Sequence, residues 1–396
     1  METRTEDGRL VIELAGKVDS ANADDVEARL VEAVESGGAT DVVIDASGLD
    51  YISSAGLRVL LRLLRRTESL SVVEAAPEVY EVFDMTGFTE MIDVRRRLRE
   101  VSVEGLGLIG EGANGRVYRL APDQMIKVFR PQVTLADIEA EREASKRAFL
   151  LGVPCAISFD TVRVGEGYGT VYELLDAATL TERIREDPSR LERLAVASAE
   201  LLGQRHRIEV PGGLLPEATR PVHASTDAVA GYFSAEEAGR IRALWDSVPA
   251  MDRFIHNDYH TKNVMESSGE LMLIDLGEAG SGNPAMDLAH CYMVFNLIGT
   301  GAGPTSDDDM GFLGLTYGEA RSFWGVFSAA YWGGAERAAE MDRLLEPYAQ
   351  LMYLTSSMAH PLLPDEYRPA YAQKVREEVL PHYDEMLGSL AGVVVP

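Results

Sequence analysis

Cysteine is scarce in this chain, with only two in 396 residues. Cys155 lies in GVPCAI and Cys291 in LAHCYM, so we expect two core residues in a reducing compartment rather than a disulfide. No pattern of closely spaced Cys and His residues indicates a zinc site. The amino-terminal METRTEDG lacks the apolar run of a secretion signal, and no apolar run approaches the roughly 18 residues of a membrane span. These absences predict a cytoplasmic protein.

Basic residues are also outnumbered, because 37 Lys and Arg face 64 Asp and Glu, which gives a formal net charge of -27. An acidic surface repels the phosphate backbone, and this argues against a nucleic-acid partner. The acidity is compatible with a cationic substrate and equally with simple solubility. The length predicts two or three domains, and the composition, 46% hydrophobic and 26% charged, is typical of a globular protein.

The first hundred residues alternate between strand-like and helix-like patterns. Strands are predicted at residues 10–15, in TDVVIDA, in SVVEA and near MIDV, separated by helices at 23–35, at 54–66 and in EVYEVFDMTG. Gly37 and Gly38 are predicted to end the first helix, because glycine accepts the left-handed conformation that often follows a helix. The order β-α-β-α-β-α-β predicts an α/β layer domain.

Two stretches of this domain, YISSAGLRVLL and VYEVFDMTGF, resemble the STAS fold of anti-sigma factor antagonists, and the resemblance covers residues 5–98. In that family a serine at the start of the second helix is the phosphorylation switch of partner-switching regulation, and Ser54 is the matching position. Ser53 stands where the classical antagonists carry an aspartate. The resemblance implies a STAS or anti-sigma-type protein as partner.

Ser54 has two interpretations on physical grounds. A helix N-terminus offers unpaired N–H groups and a favourable dipole, so a phosphate there is tolerated while the surface charge changes by about -1.5 to -2. Alternatively, Ser54 or Ser53 is an N-cap that contributes about 1 kcal/mol to stability.

Residues 254–280 read FIHNDYHTKNVMESSGELMLIDLGEAG, with a hairpin-like turn at 267–269 followed by a short hydrophobic strand. Asp258, Asn263 five residues later and Asp275 at the strand end are three oxygen donors. Mg²⁺ and a transferring phosphoryl group need such donors together, so the chemistry indicated is phosphoryl transfer.

The pattern HxDxxxxN, followed by a strand and D-x-G, resembles the catalytic and metal loops of the protein-kinase-like superfamily, specifically its aminoglycoside phosphotransferase and choline kinase branch. The resemblance implies that Asp258 orients or accepts the proton of the substrate hydroxyl, that Asn263 and Asp275 hold Mg²⁺, and that His256 braces the loop. A purely structural, buried His256 is an equal alternative. Asp287 follows Asp275 by twelve residues with no long activation segment, which is similar to the small-molecule kinases and implies a bracing role for Asp287.

Upstream, the chain reads LGLIGEGANGRVYRLAPDQMIKVFR from Leu106, so that Gly110, Gly112 and Gly115 form G-x-G-x-x-G and Lys127 follows. A dinucleotide-binding fingerprint requires a helix directly after the glycines. Strand-like runs lie on both sides instead, which favours the hairpin of a kinase glycine-rich loop. Glycine lets the backbone approach the phosphates, and Lys127 would neutralise their charge.

The helix TLADIEAEREASKRAFLLG provides the glutamate that such a lysine needs. Glu143 matches the spacing in the family best, and Glu141 is the alternative; a glutamate on so charged a helix is by default a solvated residue. VRVGEGYGTVYELL resembles the hairpin that leads to the hinge of the family, where Glu173 to Leu175 would supply backbone groups to the adenine. These residues imply ATP as the cofactor.

Two features of the carboxyl-terminal half have alternative interpretations. Asp307 to Asp309 could line a cationic substrate pocket or form a solvated loop. Four aromatic residues are interpreted first as core and second as a stacking surface for substrate: Trp324, Tyr331, Trp332 and Tyr348.

Together these patterns predict an α/β STAS domain at residues 1–100, followed by an α+β bilobal protein-kinase-like domain with a β-rich lobe at 101–175 and a helical lobe at 176–396. The predicted function is ATP-dependent, Mg²⁺-dependent phosphoryl transfer to a hydroxyl of a small molecule, with the STAS domain as regulatory or docking module. One alternative is a serine protein kinase acting on Ser54 of its own or a partner STAS domain. Another is a scaffold whose kinase-like domain only binds nucleotide.

Overall fold

The computed structural model describes residues 1–6, 8–38, 40–111, 115–298 and 310–393. The chain forms two compact units, Met1–Ser102 with Thr161–Glu166, and Val103–Asp160 with Gly167–Pro396. Residues 161–166 belong to the first unit because Val162 and Arg163 pair in parallel with Arg99 and Glu100. Within the described ranges, no helix is long and apolar enough to cross a membrane.

Strands and helices alternate in the first unit, in the order β1 (Thr3–Glu6), β2 (Arg9–Val18), α1 (Ala23–Gly37), β3 (Asp41–Ile52), α2 (Ser54–Leu64), β4 (Ser69–Ala75), α3 (Pro77–Met85), β5 (Asp93–Arg96) and the short β6 (Arg99–Glu100). A 3-10 turn, Phe88–Glu90, precedes β5. The sheet order is β1-β2-β3-β4-β5, in which β2 to β5 are parallel and β1 is antiparallel to β2. The predicted order of the domain is confirmed, with the addition of β1 and β6.

Both faces of this sheet are covered. Val42, Val43 and Ile44 are buried at three successive positions of β3, although successive side chains of a strand point to opposite faces. Such continuous burial is typical of a parallel sheet between helices. Helix α1 ends at Gly37, and Gly38 adopts φ +61°, as the sequence predicted.

The second unit begins with β7 (Leu108–Glu111), β8 (Gly115–Ala121), β9 (Gln124–Phe129), α4 (Leu135–Leu150), β10 (Ser158–Val164), whose last residues belong to the first unit, and β11 (Gly167–Glu173). Antiparallel pairing joins β7, β8, β9 and β11 in that order. Helix α4 starts with a capping box formed by Thr134 and Asp137. No helix directly follows Gly115, which agrees with the predicted hairpin.

The remaining elements are mostly helical: β12 (Ala178–Thr179), α5 (Leu180–Glu186), α6 (Leu191–Arg205), α7 (Arg220–Val229), α8 (Ala235–Asp246), β13 (Arg253–Ile255), β14 (Val264–Ser267), β15 (Glu270–Leu273), β16 (Gly280–Gly282), α9 (Ala285–Tyr292), α10 (Tyr317–Trp332), α11 (Ala335–Ala359), α12 (Arg368–Lys374) and α13 (Tyr383–Met386). Short 3-10 or π turns occupy Pro188–Arg190, Ala230–Tyr232, Met293–Leu297, Asp365–Tyr367, Val375–Val379, Leu380–His382 and Ser389–Gly392. Two small sheets, β12-β14-β15 and β13-β16, lie among the helices.

The helical part has an aromatic core. The four aromatic residues that the sequence assigned first to the core are all buried: Trp324, Tyr331, Trp332 and Tyr348. Because these side chains of α10 and α11 are buried in the core, they offer no stacking surface to a substrate.

The two cysteines are also buried and free, as predicted. Burial disfavours a thiolate and raises the pKa of Cys155 to about 11, and it also raises the pKa of Cys291. Both residues are therefore unreactive members of the core.

Candidate active site

The loop between β13 and β14 carries the predicted catalytic residues, and a buried carboxylate on α9 holds its backbone. Asp287 accepts hydrogen bonds from the backbone N–H groups of His256 at 2.8 Å and Asn257 at 2.6 Å, and from Nε2 of His206 at 3.0 Å. Burial raises the pKa of this carboxyl, but the hydrogen bond from His206 and the nearby imidazoles outweigh it, so the pKa of Asp287 is lowered. The structure thus shows the bracing contact that the resemblance implied.

Asn257 forms the sharp turn of this loop. Its backbone has φ +63°, a left-handed conformation that asparagine tolerates better than most residues. Its side-chain amide donates hydrogen bonds to the carbonyl groups of Ala218 at 3.1 Å and Glu278 at 3.0 Å. The turn is therefore stabilised by its own side chain, between the buried His256 and the partly exposed Asp258.

His256 lies behind the loop and is fully buried. Its Nδ1 accepts a hydrogen bond from the backbone N–H of Asp258 at 3.2 Å, and its Nε2 lies 3.2 Å from the carbonyl oxygen of Ile274. A backbone N–H can only donate and a carbonyl can only accept, so the imidazole carries its proton on Nε2. His256 thereby connects the loop to the segment that precedes Asp275.

Asp258 presents its carboxylate to three polar side chains. Its Oδ2 accepts a hydrogen bond from Nδ2 of Asn263 at 2.8 Å. Its Oδ1 lies 3.4 Å from Nε2 of His260 and 3.6 Å from Nε2 of His290. Burial raises the pKa of this carboxyl, but the neighbouring imidazole groups, His260 first, outweigh burial and lower the pKa to about 2. Asp258 is therefore ionised at neutral pH and can accept a hydrogen bond from a hydroxyl group.

Asn263 and Asp275, the predicted metal ligands, lie at the two ends of the hairpin formed by β14 and β15. The hairpin turns through Ser268 and Gly269, which have φ +52° and +86°, so the predicted turn is confirmed. The backbone N–H of Ile274 donates to the carbonyl of Asn263 at 3.0 Å, which joins the two ends. Asp275 follows with φ +58° and a side chain that is 39% exposed.

The donor atoms of this pair suit Mg²⁺. Nδ2 of Asn263 donates to both the carbonyl and the carboxylate of Asp258, so the amide oxygen of Asn263 is its remaining ligand atom. Asp275 adds a carboxylate, and Mg²⁺ prefers oxygen ligands that include water and substrate phosphates. Within the described part of the chain, no group of three or more His, Cys, Asp or Glu side chains could hold a metal ion by itself. A metal ion here would need further oxygens from a nucleotide or from water.

Lys127 of β9 lies between two carboxylates. Its Nζ is 2.8 Å from Oε1 of Glu141 and 3.4 Å from Oδ1 of Asp275. The hydroxyl of Tyr172 donates to the same glutamate oxygen at 3.4 Å. Burial lowers the pKa of Lys127, but Asp275 and Glu141 outweigh it, so the pKa is raised and the ammonium stays charged. The lysine is held next to the predicted metal ligand Asp275.

The prediction that Glu143 pairs with Lys127 is wrong, because Glu141 makes that contact. Glu143 instead accepts a hydrogen bond from Arg147 at 2.9 Å, one turn later on α4, and its side chain is 45% exposed. Two residues correspond to a rotation of about 200° around a helix, so the two glutamates point to different sides of α4. The sequence did not settle the register, because charged residues surround most of this helix.

Glutamine at these two positions gives a matched test. We expect Glu141→Gln to weaken Mg-ATP binding about tenfold, roughly 1.4 kcal/mol, because it removes the charged partner that positions Lys127. Glu143→Gln should leave the affinity unchanged. Isothermal titration calorimetry of both variants measures the difference; equal affinities, or a loss at Glu143 alone, would show that Glu141 does not serve the nucleotide site.

Of the predicted phosphate-binding glycines, Gly110 and Gly115 are described, whereas Gly112 lies outside the described residues. A Cβ at Gly115 would lie 2.3 Å from the carbonyl oxygen of Val128 on the neighbouring strand, so no side chain fits there. A Cβ at Gly110 would make an ordinary contact of 3.8 Å with Val117. Strand pairing therefore requires glycine at position 115, and the phosphate contacts of the three glycines stay a prediction.

The segment after β11 is the predicted adenine site. The backbone N–H of Glu173 donates to the carbonyl of Ile157 at 3.2 Å, so a contact of Glu173 with adenine would have to use its carbonyl oxygen. Among the described residues the N–H of Leu175 has no hydrogen-bond partner and is available to a ligand. The adenine contacts of Glu173 and Leu175 stay predictions, and Asp307 to Asp309 lie outside the described residues.

Ser54 is the first residue of α2 and is exposed. The hydroxyl oxygen of Ser53 accepts a hydrogen bond from the backbone N–H of Ala55 at 3.2 Å, so the N-cap is Ser53. The hydroxyl of Ser54 is thereby left at the surface, beside the N-terminus of the helix. Its phosphorylation stays a prediction.

Three side chains near Asp258 were not predicted from the sequence. His260 and His290 flank the carboxylate, and the ring of His260 makes an edge contact with Phe312 at a centroid distance of 5.8 Å. Phe312 is 53% exposed, and its carbonyl accepts a hydrogen bond from Nζ of Lys262 at 2.8 Å. His260 could have been found, because it lies in the same loop as Asp258. His290 and Phe312 come from distant segments and match no motif.

Comparison with known families assigns both parts of the chain. The model of the STAS domain matches residues 1–101, and the model of the phosphotransferase enzyme family matches residues 106–323, which is more than half of the chain. The chain belongs to the phosphotransferase enzyme family. This phosphotransferase has the predicted enzyme class, an ATP-dependent transferase, and the predicted fold class, an α/β STAS domain followed by an α+β kinase-like domain, is confirmed.

Three individual proteins are similar to this phosphotransferase. A protein of Bordetella bronchiseptica, provisionally named anti-sigma factor antagonist BtrV, is 46% identical over 92 residues, which cover 22% of this chain and 78% of that protein. A choline/ethanolamine kinase family protein from Mesorhizobium loti is 18% identical, with a TM-score of 0.45, over 72% of this chain and 92% of that chain. The ADP-bound aminoglycoside phosphotransferase APH(2'')-Ib is 14% identical, with a TM-score of 0.41, over 80% of this chain and 99% of that chain. Both TM-scores lie below 0.5, so family membership rests on the family models.

Proposed function

We propose that this phosphotransferase transfers the γ-phosphoryl group of Mg-ATP to a hydroxyl group of a small molecule. The observation that carries the proposal is the placement of Lys127 between Glu141 and Asp275, 2.8 Å and 3.4 Å away, in the domain that also holds the ionised Asp258. Lys127 would bind the phosphates, Asn263 and Asp275 would hold Mg²⁺, and Asp258 would orient the acceptor hydroxyl. A bound Mg²⁺ supplies positive charge to the transferring phosphoryl group.

The remaining nucleotide contacts in this proposal are made by backbone. Gly110, Gly112 and Gly115 would let the chain approach the phosphates, and Glu173 and Leu175 would meet the adenine through a carbonyl and an N–H group. Catalysis of this kind depends on positioning and on fixed charges rather than on a covalent intermediate. The hydrogen bonds that fix the loop around Asp258 supply that positioning.

A small acceptor is favoured by the short segment after Asp275. The nine residues 276–284 lead directly to α9, and the three residues of β16 within them pair with β13. Because part of this segment pairs with β13 inside the domain, it provides no extended surface to which a peptide acceptor could bind. A cationic acceptor is compatible with the formal charge of -27, because the chain would attract it.

Each domain has its own role in the proposed function. Residues 1–100 would be a STAS domain that regulates the transferase or docks it to an anti-sigma-type protein, and residues 101–175 and 176–396 would be the two lobes of the transferase. The similarity of the STAS domain to a provisionally named anti-sigma factor antagonist supports this partner class.

A second candidate function has its own observation, the exposed hydroxyl of Ser54 beside the N-terminus of α2. A phosphoryl donor site and a phosphoryl acceptor on one chain raise the effective concentration toward the millimolar range. In this version the enzyme is a serine protein kinase that modifies Ser54 of its own or of a partner STAS domain. The two candidates differ in whether the acceptor is a protein.

Intact-mass spectrometry with Mg-ATP separates the candidates. For a small-molecule kinase we expect no phosphate on the protein, while amino alcohols, aminoglycosides or sugars are phosphorylated by wild type and not by Asp258→Ala. One added phosphate that both Asp258→Ala and Ser54→Ala abolish would instead establish the serine kinase. If phosphate is still added to Ser54→Ala, the hypothesis that the chain phosphorylates itself at Ser54 is wrong.

A further inference from the structure

One face of α9 makes two contacts with the catalytic loop. Asp287 accepts hydrogen bonds from the loop backbone, and His290, three residues and therefore almost one turn later, lies against the carboxylate of Asp258. Resting on the proposed function, we infer that His290 is a positioning residue for the transfer step. Its imidazole fixes the orientation of the Asp258 carboxylate and thereby the hydroxyl that the carboxylate receives.

The contacts of Asp258 show what His290 adds. Asn263 holds Oδ2 at 2.8 Å, so a carboxylate fixed only there could still rotate its second oxygen. His260 and His290 approach that oxygen, Oδ1, at 3.4 and 3.6 Å. His260 belongs to the loop itself, whereas His290 belongs to α9, a helix of the core. His290 therefore ties the carboxylate to a rigid element.

Both contacts with Oδ1 are longer than an ordinary hydrogen bond. Such distances are common in catalytic sites without substrate, where hydrogen bonds tighten only in the reactive complex. They also leave Oδ1 able to accept a hydrogen bond from the substrate hydroxyl. The imidazoles can thus orient the carboxylate while Oδ1 stays free to accept a hydrogen bond from the substrate.

The two ring nitrogens of His290 have different surroundings. Nε2 faces Asp258, whereas Nδ1 is buried and has no hydrogen-bond partner among the described residues. Since a carboxylate only accepts hydrogen bonds, the proton belongs on Nε2. Burial also lowers the pKa of His290, which agrees with an imidazole that carries a single proton. A buried nitrogen without a partner is unfavourable, and an apolar side chain would avoid it, so packing alone does not account for a histidine at this position.

The test compares His290→Leu, which keeps the volume but removes the N–H, with His290→Gln, which keeps a donor. With Mg-ATP and water as the acceptor, phosphate release measures kcat, and calorimetry measures the Kd of Mg-ATP. We expect kcat of His290→Leu to fall at least tenfold with unchanged Kd and no loss of thermal stability, and His290→Gln to recover part of the rate. His382→Ala, at an exposed histidine, is the control. An unchanged kcat in His290→Leu, or equal losses in the leucine and glutamine variants, would overturn the inference.

Nuclear magnetic resonance of ¹⁵N-labelled histidine tests the contact without any activity. The full-length protein should show His290 with its proton on Nε2, and Asp258→Asn should shift that resonance, whereas Asp384→Asn should not. A His290 resonance whose chemical shift is the same in wild type and in Asp258→Asn would overturn the inference even in an active enzyme. If wild type releases no phosphate and labels no acceptor, the proposed function fails and with it the role of His290 in transfer, although the resonance shift still decides whether the contact exists.

Discussion

Asp258→Ala should lower the rate of phosphoryl transfer by about 10³-fold or more, which corresponds to roughly 4 kcal/mol of activation free energy. Asp258 is the one carboxylate of its loop that is ionised, partly exposed and flanked by imidazoles, with a pKa of about 2. Alanine removes the group that orients the acceptor hydroxyl. Lys127 and Glu141 are untouched, so the affinity for Mg-ATP should change little.

Steady-state turnover of an identified acceptor, or phosphate release to water, measures this loss. Asp252→Ala is a suitable control, because Asp252 is exposed and lies six residues earlier, just before β13. A variant at Asp258 that keeps the wild-type rate would contradict the proposed role. If Asp258→Ala also left cellular function intact, the alternative of a nucleotide-binding scaffold would gain support.

The local part of this site could be predicted from the sequence. Asp258 and Asn263 share one loop, and Asp275 follows after a single hairpin, so their order along the chain nearly determines their proximity. The exposed serine at the start of α2 was predictable for the same reason, since a helix N-terminus is marked by its own residues. Functional residues that lie within one loop or one turn form a recognisable pattern in the sequence.

The parts that depend on register or on packing left no such pattern. Glu141 and Glu143 are two residues apart on a helix with charges on most sides, so only the structure shows which one faces Lys127. His290 meets Asp258 because α9 packs against the loop. The strand β1 was missed because all four of its residues are exposed, and it is held by backbone pairing rather than by burial.

Two separate segments, α9 and the segment before Asp275, hold the catalytic loop through one chain of contacts. Asp287 fixes the backbone of His256 and Asn257, and His256 in turn links Asp258 to the carbonyl group of Ile274 next to Asp275. Each link uses a different donor or acceptor, so none replaces another. The loss of the buried carboxylate at the start of this chain should therefore affect both stability and activity.

We expect Asp287→Ala to lower the free energy of unfolding by about 3–5 kcal/mol. The substitution leaves the buried N–H of His256, the partly buried N–H of Asn257 and Nε2 of His206 without their acceptor, and each unsatisfied buried group is unfavourable by about 1–3 kcal/mol. Transfer activity should fall as well, because Asn257 and Asp258 lose their fixed positions. Asp384→Ala, at an exposed position of α13, should change stability by less than about 0.5 kcal/mol.

The pH dependence of unfolding distinguishes this mechanism from a simple cavity. The pKa of Asp287 is lowered in the folded protein, so its ionised form stabilises the fold above the unfolded-state value of about 3.9. That contribution is lost as the pH falls through the lowered folded-state pKa. In denaturant titrations, the difference in the free energy of unfolding between wild type and Asp287→Ala should have its full size at pH 7 and should shrink below about pH 4. A difference that stays constant down to acid unfolding would indicate lost packing rather than a lost charge.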